Sequence, residues 1–398
     1  MKKKIFIMAH SMEPGGAERS LIGLLDALNA DEYDVDLFLL RHEGEFMNMI
    51  PTKINLLPLI KEYTVLARPM KETLKEGHII LTSARLAGKI AAKFYDAIHG
   101  YSDSGVALEY SHKFTVPFMP QIDTGKEYDL AISFLTPHYF TAQKVNAKRK
   151  AAWIHTDYSK VSVNVKSETK MWDRYDNIVS ISTSVTESFL GVFPTLKEKI
   201  ILIENILPQN LILSQADSFL PSAEMSHKGI KLLSIGRYSY QKNFDNIPLI
   251  CSILTEKGFD VCWYIIGYGP DERLIKGKIR QFGMQDRVIL LGKKANPYPY
   301  IKACDIYVQP SRYEGKSIAV REAQMLAKPV VITNFPTAKS QLTDGYDGVI
   351  VPSDNEGCAN GLAELLKNPG KIEFLIENCK KRDYSNREEI KKIELLFI

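Results

Sequence analysis

Two cations in the second half of the chain have the spacing of an anion-binding loop. Arg237 and Lys242 lie in GRYSYQKN (236–243), after an apolar run and before a predicted helix. A guanidinium and an ammonium group beside a glycine and a helix N-terminus are typical of a phosphate site. The alternative is a solvated basic loop that binds no ligand.

Two carboxylates, Glu314 and Glu322, lie eight positions apart in SRYEGKSIAVREAQ (311–324). If residues 317–326 form a helix, Glu314 lies in the preceding loop and Glu322 lies about one and a half turns inside, so both can face the same side. The backbone N–H groups of residues 315–317 at the helix start can bind a diphosphate, and a carboxylate inside the helix can bind a ribose diol. The alternative is a surface helix with two ordinary glutamates.

In the first half, Gly15 and Gly16 lie in the loop HSMEPGGAERS (10–20), and His155 ends the apolar run AAWIH (151–155). The loop is neither GxGxxG nor a P-loop, but its glycines allow a sugar or phosphate to approach, unless they only form a tight turn. A histidine at a strand end can bind a substrate hydroxyl or stabilise developing charge, unless its role is structural. The sequence contains no GxSxG or HExxH motif, so a hydrolase triad and a histidine metal site are disfavoured.

Short apolar runs without an alternating polar face recur along the whole chain, and segments long enough for helices separate them. This pattern predicts parallel strands buried on both faces, in an α/β fold. The runs cover residues 4–9, 35–40, 129–135, 151–155, 177–182, 199–204, 230–236, 261–267, 287–292, 305–310 and 328–334. Gly236, Gly267, Gly269 and Gly292 lie at the ends of three of these runs, and residues 311–315 follow a fourth. These glycines either admit a nucleotide-like ligand or simply end the strands.

The apolar pattern is interrupted over residues 206–228, which contain two prolines and four serines. We therefore predict a first α/β domain over 1–205, a linker over 206–228 and a second α/β domain over 229–375. The charged segment 376–398 is predicted to be a C-terminal helix that packs on one of the domains.

Composition excludes several classes of protein. The 398 residues are 45% hydrophobic and 25% charged, which is typical of a globular chain. The net charge, 51 − 47 = +4, gives no indication of a nucleic-acid partner. Five cysteines without a CxxC pair argue against a disulfide scaffold and a cysteine zinc site. No apolar stretch is long enough for a membrane span or a signal peptide, so we expect a cytoplasmic protein.

Four blocks in order carry a resemblance to a known family: PGGAE (14–18), WIH (153–155), GRYSYQKN (236–243) and the Glu314–Glu322 block. Together they resemble glycosyltransferase family 4, the retaining group of the GT-B fold, of bacterial surface-polysaccharide type. IENIL (203–207) resembles the family's interdomain hinge, and DYSNREEI (383–390) resembles the element that leads the last helix back to the first domain. The block EGKS differs from the more frequent EGFG at Lys316 and Ser317.

The resemblance implies two Rossmann-like domains that face a central cleft, with the nucleotide-sugar in the second. It implies these roles: donor diphosphate binding by Arg237, Lys242, Gly315, Lys316, Ser317, Ile318, Gly15 and Gly16; ribose binding by Glu322; base binding by the loop with Lys293 and Lys294; and catalytic roles beside the donor sugar for Glu314 and His155. It also implies that no metal or cofactor is needed, since cations and a helix N-terminus meet the charge of the leaving diphosphate.

The implied reaction is transfer from a nucleoside diphosphate sugar, with UDP as the expected nucleotide, to a glycan or lipid-linked acceptor, in cell-surface polysaccharide synthesis. Two alternatives stay open: a non-catalytic binding relic of the same fold, and a GT-B nucleotide-sugar epimerase. Residues 51–100 carry eight Lys or Arg against four Asp or Glu, and a second basic cluster lies at Lys144, Lys148, Arg149 and Lys150. These clusters either dock the protein on the anionic inner face of the cell membrane or are solvated.

Overall fold

The computed structural model describes residues 2–101, 104–122 and 125–398. The chain divides into two compact units: Met1–Leu207 together with Asn386–Ile398, and Pro208–Ser385. Each unit is a parallel β-sheet flanked by helices, so the prediction of two Rossmann-like α/β domains is confirmed.

The first domain has a seven-stranded parallel sheet in the order β3-β2-β1-β4-β5-β6-β7. Its strands are β1 (Lys3–Ala9), β2 (Tyr33–Leu39), β3 (Asn55–Leu56), β4 (Tyr128–Ser133), β5 (Ala147–Ile154), β6 (Asn177–Ser180) and β7 (Ile200–Leu202). Its helices are α1 (Gly16–Ala27), α2 (Lys61–Thr64), α3 (Met70–Lys75), α4 (Ile79–His99), α5 (Val106–Thr115), α6 (His138–Lys144), α7 (Val165–Trp172) and α8 (Thr183–Val192).

The central strand β1 shows why these short runs form strands. Ile5, Phe6, Ile7 and Met8 are all fully buried, although successive side chains of a strand point to opposite faces of the sheet. Both faces are therefore covered, which is the arrangement that a continuous apolar run without polar alternation requires.

The second domain has a six-stranded parallel sheet in the order β10-β9-β8-β11-β12-β13. Its strands are β8 (Ile230–Ile235), β9 (Val261–Ile266), β10 (Val288–Gly292), β11 (Ile306–Gln309), β12 (Val330–Thr333) and β13 (Val349–Val351). Its helices are α9 (Gln209–Ala216), α10 (Ile247–Glu256), α11 (Glu272–Gln281), α12 (Tyr298–Ala303), α13 (Ile318–Met325), α14 (Asn355–Leu366) and α15 (Pro369–Lys381).

The segment that we expected to be a linker, 206–228, contains helix α9, and from Pro208 onward it belongs to the second domain. Asn296 on the loop before α12 holds the C-terminal end of α9, since its Nδ2 donates to the carbonyl of Gln215 at 2.9 Å. A contact 81 residues away along the chain thus makes this segment part of the domain, although its sequence shows no clear period.

The C-terminal segment is not the single helix expected over 376–398. Helix α15 ends at Lys381, and a run of 3-10 turns covers Arg387–Phe397. Between them Asn386 has a φ of 55°, a left-handed conformation that interrupts a helix. The Nδ2 of Asn386 also donates to Glu204 Oε2 at 2.9 Å, so residues after Ser385 pack within the first domain.

Two helical glycines have opposite surroundings and give a matched test of packing. A Cβ at Gly23 in α1 would lie 2.0 Å from the carbonyl oxygen of Ile206, whereas a Cβ at Gly277 in α11 would meet nothing within 4 Å. We expect Gly23→Ala to lower the free energy of unfolding by about 1–2 kcal/mol, because overpacking outweighs the gain in helix propensity. We expect Gly277→Ala to raise it by about 0.5–1 kcal/mol. Urea unfolding measures both, and shifts of the same sign would contradict the close approach at Gly23.

Candidate functional site

The predicted diphosphate and carboxylate motifs meet at one edge of the second sheet. β8 and β11 are adjacent and parallel, and the connections that leave them run in opposite directions along the sheet order. The carboxyl edge at such a reversal is where open α/β sheets bind ligands. The loop after β8 carries Arg237 and Lys242, and the loop after β11 carries Glu314.

Lys242 and Glu314 form a largely buried ion pair at this edge. The Lys242 Nζ lies 2.5 Å from Glu314 Oε1, and the two side chains are only 17% and 5% exposed. The same Oε1 accepts from Ser311 Oγ at 2.6 Å, and Oε2 accepts from Gln241 Nε2 at 3.4 Å. Donors from both loops therefore fix the Glu314 carboxylate.

A second set of contacts holds the two loops together. Arg312 makes a bidentate pair with Asp245, with distances of 3.0 and 2.9 Å from its two guanidinium nitrogens. The Arg312 guanidinium also lies over the Tyr240 ring, 4.1 Å from its centroid, and the Arg312 N–H donates to the carbonyl of Gln241 at 2.8 Å. The planar fork of arginine permits pairing and stacking together, which a lysine at this position would not reproduce.

Arg237 lies on the same loop as Lys242, but its side chain is exposed. Within the described part of the chain it makes no ion pair or hydrogen bond from its side chain. The predicted basic pair thus consists of one lysine engaged with a carboxylate and one arginine that is available to an anion.

Gln341 holds the loop that leads into α13, a role that no sequence motif indicated. Its Oε1 accepts from the Ser317 N–H at 2.8 Å, and its Nε2 donates to the carbonyl of Gly315 at 2.8 Å. We refer to these two hydrogen bonds as the Gln341 clamp. Thr337 adds a bond from its hydroxyl to the carbonyl of Glu314 at 2.6 Å.

The Gln341 clamp corrects one expectation about the diphosphate loop. The helix starts at Ile318, with Ser317 at its N-cap, close to the predicted start. However, the Ser317 amide is not open to a phosphate as expected, because the Gln341 carboxamide already occupies it. Gly315 remains open, since a Cβ there would meet nothing within 4 Å.

Glu322 is fully buried on α13, where its Oε1 accepts from the Tyr298 hydroxyl at 2.9 Å. Tyr298 opens α12, directly after the loop from β10. Because Glu322 has no exposed surface, a ribose can reach it only if the covering side chains move. Its ribose role stays a prediction, and Tyr298 is a partner that the sequence did not indicate.

The lysines expected near the base have partners in the structure. Lys294 pairs with Glu224 at 2.5 Å, and Lys293 Nζ lies 5.8 Å from the centroid of the Tyr268 ring. Two contacts join α12 to the segment before β8. The Tyr300 hydroxyl donates to Glu224, and Lys302 pairs with Asp217. The structure therefore gives Lys294 a contact within the domain, and base binding by this loop stays a prediction.

The glycines at the strand ends divide into two kinds. Gly267 and Gly269 have φ of 152° and 159°, and a Cβ on them would lie 1.9 and 2.3 Å from the carbonyl oxygens of Gly236 and Tyr238. These two glycines are thus explained by close backbone packing rather than by a ligand. Gly292, by contrast, has open space around it. Its φ of 70° is a left-handed conformation that favours glycine, so the backbone turn accounts for this residue.

Gly15 lies between β1 and α1 as expected, whereas Gly16 is already the first residue of α1. Gly15 is the N-cap of α1, and a Cβ there would lie 2.2 Å from Glu18 Oε2. The Glu18 carboxylate therefore folds back over the start of the helix. Burial raises the pKa of Glu18 above its ordinary value.

His155 follows β5 and packs on the Phe134 ring with a centroid separation of 4.8 Å. Burial lowers its pKa to about 4, so the imidazole is neutral at physiological pH. Its Nε2 is buried and makes no hydrogen bond to any described residue. The neutral ring can accept or donate a hydrogen bond at this atom, and its role beside the donor sugar stays a prediction.

Among the residues that the structure describes, no cluster of three His, Cys, Asp or Glu side chains has the geometry of a metal site. The five cysteines are buried and unpaired.

Comparison with known proteins gives a family match that covers most of the second domain. Residues 218–382 match the sequence model of the family described as Glycosyl transferases group 1. An uncharacterized glycosyltransferase of Haemophilus influenzae is 23% identical over 384 residues, which cover 93% of this chain and 92% of that protein. The N-acetylgalactosamine-N,N'-diacetylbacillosaminyl-diphospho-undecaprenol 4-alpha-N-acetylgalactosaminyltransferase of Campylobacter jejuni is 28% identical over 139 residues, 34% of this chain and 37% of that enzyme.

Among solved structures, HepE of Anabaena in complex with UDP and glucose has a TM-score of 0.67 at 17% identity, over 99% of this chain and 98% of that chain. At this identity the likeness concerns the fold alone. The second domain is therefore similar in sequence to the group 1 glycosyl transferases, and the whole chain has the two Rossmann-like domains of the GT-B glycosyltransferases.

Proposed function

We propose that the protein is a retaining glycosyltransferase of family 4. In this proposal it moves a sugar from a nucleoside diphosphate sugar, UDP-linked, to a glycan or lipid-linked acceptor. The process is the synthesis of a cell-surface polysaccharide in the cytoplasm.

The single observation that carries this proposal is the Lys242–Glu314 pair, whose lysine lies on the same loop as Arg237. It lies at the β8–β11 edge, within the domain that matches the group 1 glycosyl transferases. An ordinary structural ion pair would account for the contact between Lys242 and Glu314. It does not explain an exposed arginine whose side chain has no partner among the described residues, an open glycine at position 315 and a helix start on the same edge.

The roles follow from the chemistry of these groups. An ammonium group has three donors, so Lys242 can bind a phosphate oxygen while it keeps its bond to Glu314. Arg237 adds a bidentate donor, and together these cations stabilise the charge that develops on the leaving diphosphate. We propose that the reaction needs no divalent metal for this reason. The leaving phosphate takes the acceptor proton, and neither Glu314 nor His155 acts as a covalent nucleophile.

Two of the similar proteins support the finer parts of the proposal. HepE was solved with UDP and glucose, and the Campylobacter jejuni enzyme is named for an acceptor on diphospho-undecaprenol. Both statements concern those proteins, so UDP and a lipid-linked acceptor are proposals for this chain.

A thermal-shift panel of UDP, GDP, ADP and CMP, each with and without magnesium, tests the donor site. A nucleotide at about 100 times its Kd stabilises the folded protein by roughly 2.7 kcal/mol. We expect UDP to raise the Tm with EDTA present as much as with magnesium. No shift with any nucleotide would contradict the proposal.

Product analysis separates the two alternatives. With a UDP-sugar and an acceptor extract, a transferase releases UDP and forms an α-linked product from an α-linked donor, which NMR of the anomeric proton detects. A binding relic would bind UDP but release none from the UDP-sugar, and an epimerase would change the sugar without an acceptor.

A further inference from the structure

Helix α4 in the first domain carries an apolar stripe that no other described residue covers. Its members are 47–79% exposed, which is unusual for large apolar side chains on a single helix. We define the apolar stripe as Ile79, Ile80, Leu86, Ile90, Phe94 and Ile98.

The stripe lies on one side of the helix because its members recur at helical spacing. The opposite side, with Leu81, Ala84, Gly88 and Ala92, is buried. A Cβ at Gly88 would lie 2.6 Å from the carbonyl oxygen of Tyr110, so α4 packs closely on α5 through this side. The packing of the domain thus uses one face of α4 and leaves the stripe to solvent.

Two lysines flank the stripe. Lys89 and Lys93 are exposed, and each lies one position before a stripe residue, Ile90 or Phe94. Neither makes an ion pair with any described residue. Arg85, the third Lys or Arg of α4, is buried and donates to backbone carbonyls, so Lys89 and Lys93 are the exposed cations of this helix. Its one carboxylate is Asp96.

We infer that the apolar stripe docks the first domain on an anionic lipid bilayer, with α4 lying in the interface. A helix with large apolar residues on one face and lysines at its border has the chemistry of an interfacial helix. Within the described residues no helix is apolar enough over a sufficient length to cross a membrane, which leaves α4 in the plane of the bilayer surface.

The charges favour a bilayer over a second copy of the chain. Pairing two stripes would place Lys89 and Lys93 of both copies along one contact, where α4 offers a single carboxylate, Asp96, which already accepts from Ser104 Oγ. Anionic headgroups supply that charge, and they attract lysines near the surface.

Aromatic side chains at the end of the helix agree with this orientation. Tyr95 stacks on His99 with a centroid separation of 3.9 Å, and Tyr101 and Tyr110 pack beside them. Rings with a polar end are favoured at the level of the headgroups.

The other basic cluster is a weaker candidate. Lys148 pairs with Asp129, Arg149 pairs with Asp176, and Lys150 donates to the carbonyl of Ala142. These side chains are engaged within the domain, so the membrane contact expected from the sequence is assigned to α4 instead.

Vesicle flotation with the full chain tests the inference without donor or acceptor, so its outcome is independent of the proposed function. Phosphatidylcholine vesicles with and without phosphatidylglycerol are the probes. We expect binding to the anionic vesicles that weakens with salt. The double variant Ile90→Gln/Phe94→Gln is expected to lose roughly tenfold or more in affinity for them. Lys89→Gln/Lys93→Gln is expected to lose roughly tenfold on anionic vesicles and nothing on neutral ones.

The matched controls lie on α11, where Leu274 is 48% exposed and Lys276 is also exposed. Leu274→Gln and Lys276→Gln are expected to bind vesicles like the parent. Circular dichroism and the Tm check that the α4 variants are folded, which we expect because the substituted side chains are exposed. Equal binding of the parent to both kinds of vesicle, or unchanged binding of the α4 variants, would overturn the inference. So would a dimer in solution that Ile90→Gln/Phe94→Gln converts to monomer.

Discussion

Lys242→Ala is expected to lower the rate of sugar transfer and the affinity for UDP together, each by roughly ten- to a hundredfold. The removed ammonium makes a charge-assisted contact, and such contacts contribute about 1.5–3 kcal/mol. The effect extends to Glu314, because loss of Lys242 leaves a carboxylate that is only 5% exposed without its ion-pair partner. Isothermal titration with UDP and initial rates of UDP release measure the two quantities.

Lys276→Ala is the matched control, since Lys276 forms an ion pair with Glu272 at 2.7 Å on α11 of the same domain. This exposed pair contributes little to stability, and we expect its loss to leave donor binding and rate unchanged. Glu314→Gln completes the comparison. The amide keeps an oxygen for Ser311 Oγ but carries no charge, and we expect it to reduce the rate more than the affinity for UDP. Lys242→Ala with parental rate and affinity would place the donor site elsewhere.

Gln341→Ala is expected to lower kcat/KM for the donor by roughly tenfold or more. The substitution removes both bonds of the Gln341 clamp, at Gly315 and at Ser317. A buried amide that loses its hydrogen-bond partner lowers the free energy of unfolding by about 1–3 kcal/mol. The loop that contains this amide also loses its fixed position. Rates over a range of donor concentrations and the Tm measure the two effects.

Gln341→Glu distinguishes the effect of the loop's position on donor binding from the effect of an added negative charge. Its carboxylate still accepts from the Ser317 N–H, but it cannot donate to the Gly315 carbonyl and it places a negative charge beside the proposed diphosphate loop. We therefore expect it to bind UDP more weakly than Gln341→Ala. Asn378→Ala is the control, because Asn378 is also a buried carboxamide of this domain, with one bond to the carbonyl of Tyr346 at 3.0 Å. If Asn378→Ala lowered kcat/KM as much as Gln341→Ala, the effect would be loss of stability and not loss of position.

The sequence by itself determined the two sheets, because a strand buried on both faces must be a continuous apolar run. Each predicted run corresponds to a strand, from β1 and β2 to β12. β3 (Asn55–Leu56) and β13 (Val349–Val351) were missed. β3 has only two residues, and Pro352 directly follows β13, whereas the equally short β7 (Ile200–Leu202) lies within the longer apolar run 199–204. The sequence also determined which loops carry the cations and the carboxylates, because strand ends of a parallel sheet lie at one edge.

Only the tertiary structure decided what these residues contact. The bond from Lys242 to Glu314 joins residues 72 positions apart, and the Gln341 clamp reaches back 24 and 26 positions. No local period encodes such separations, since they depend on the order of the strands in the sheet. The strand-end glycines show the same division: their positions are visible in the sequence, but only the structure shows that Gly267 and Gly269 accommodate backbone atoms while Gly315 is open. The apolar face of α4 is also visible as a helical pattern, yet its exposure depends on which face α5 covers.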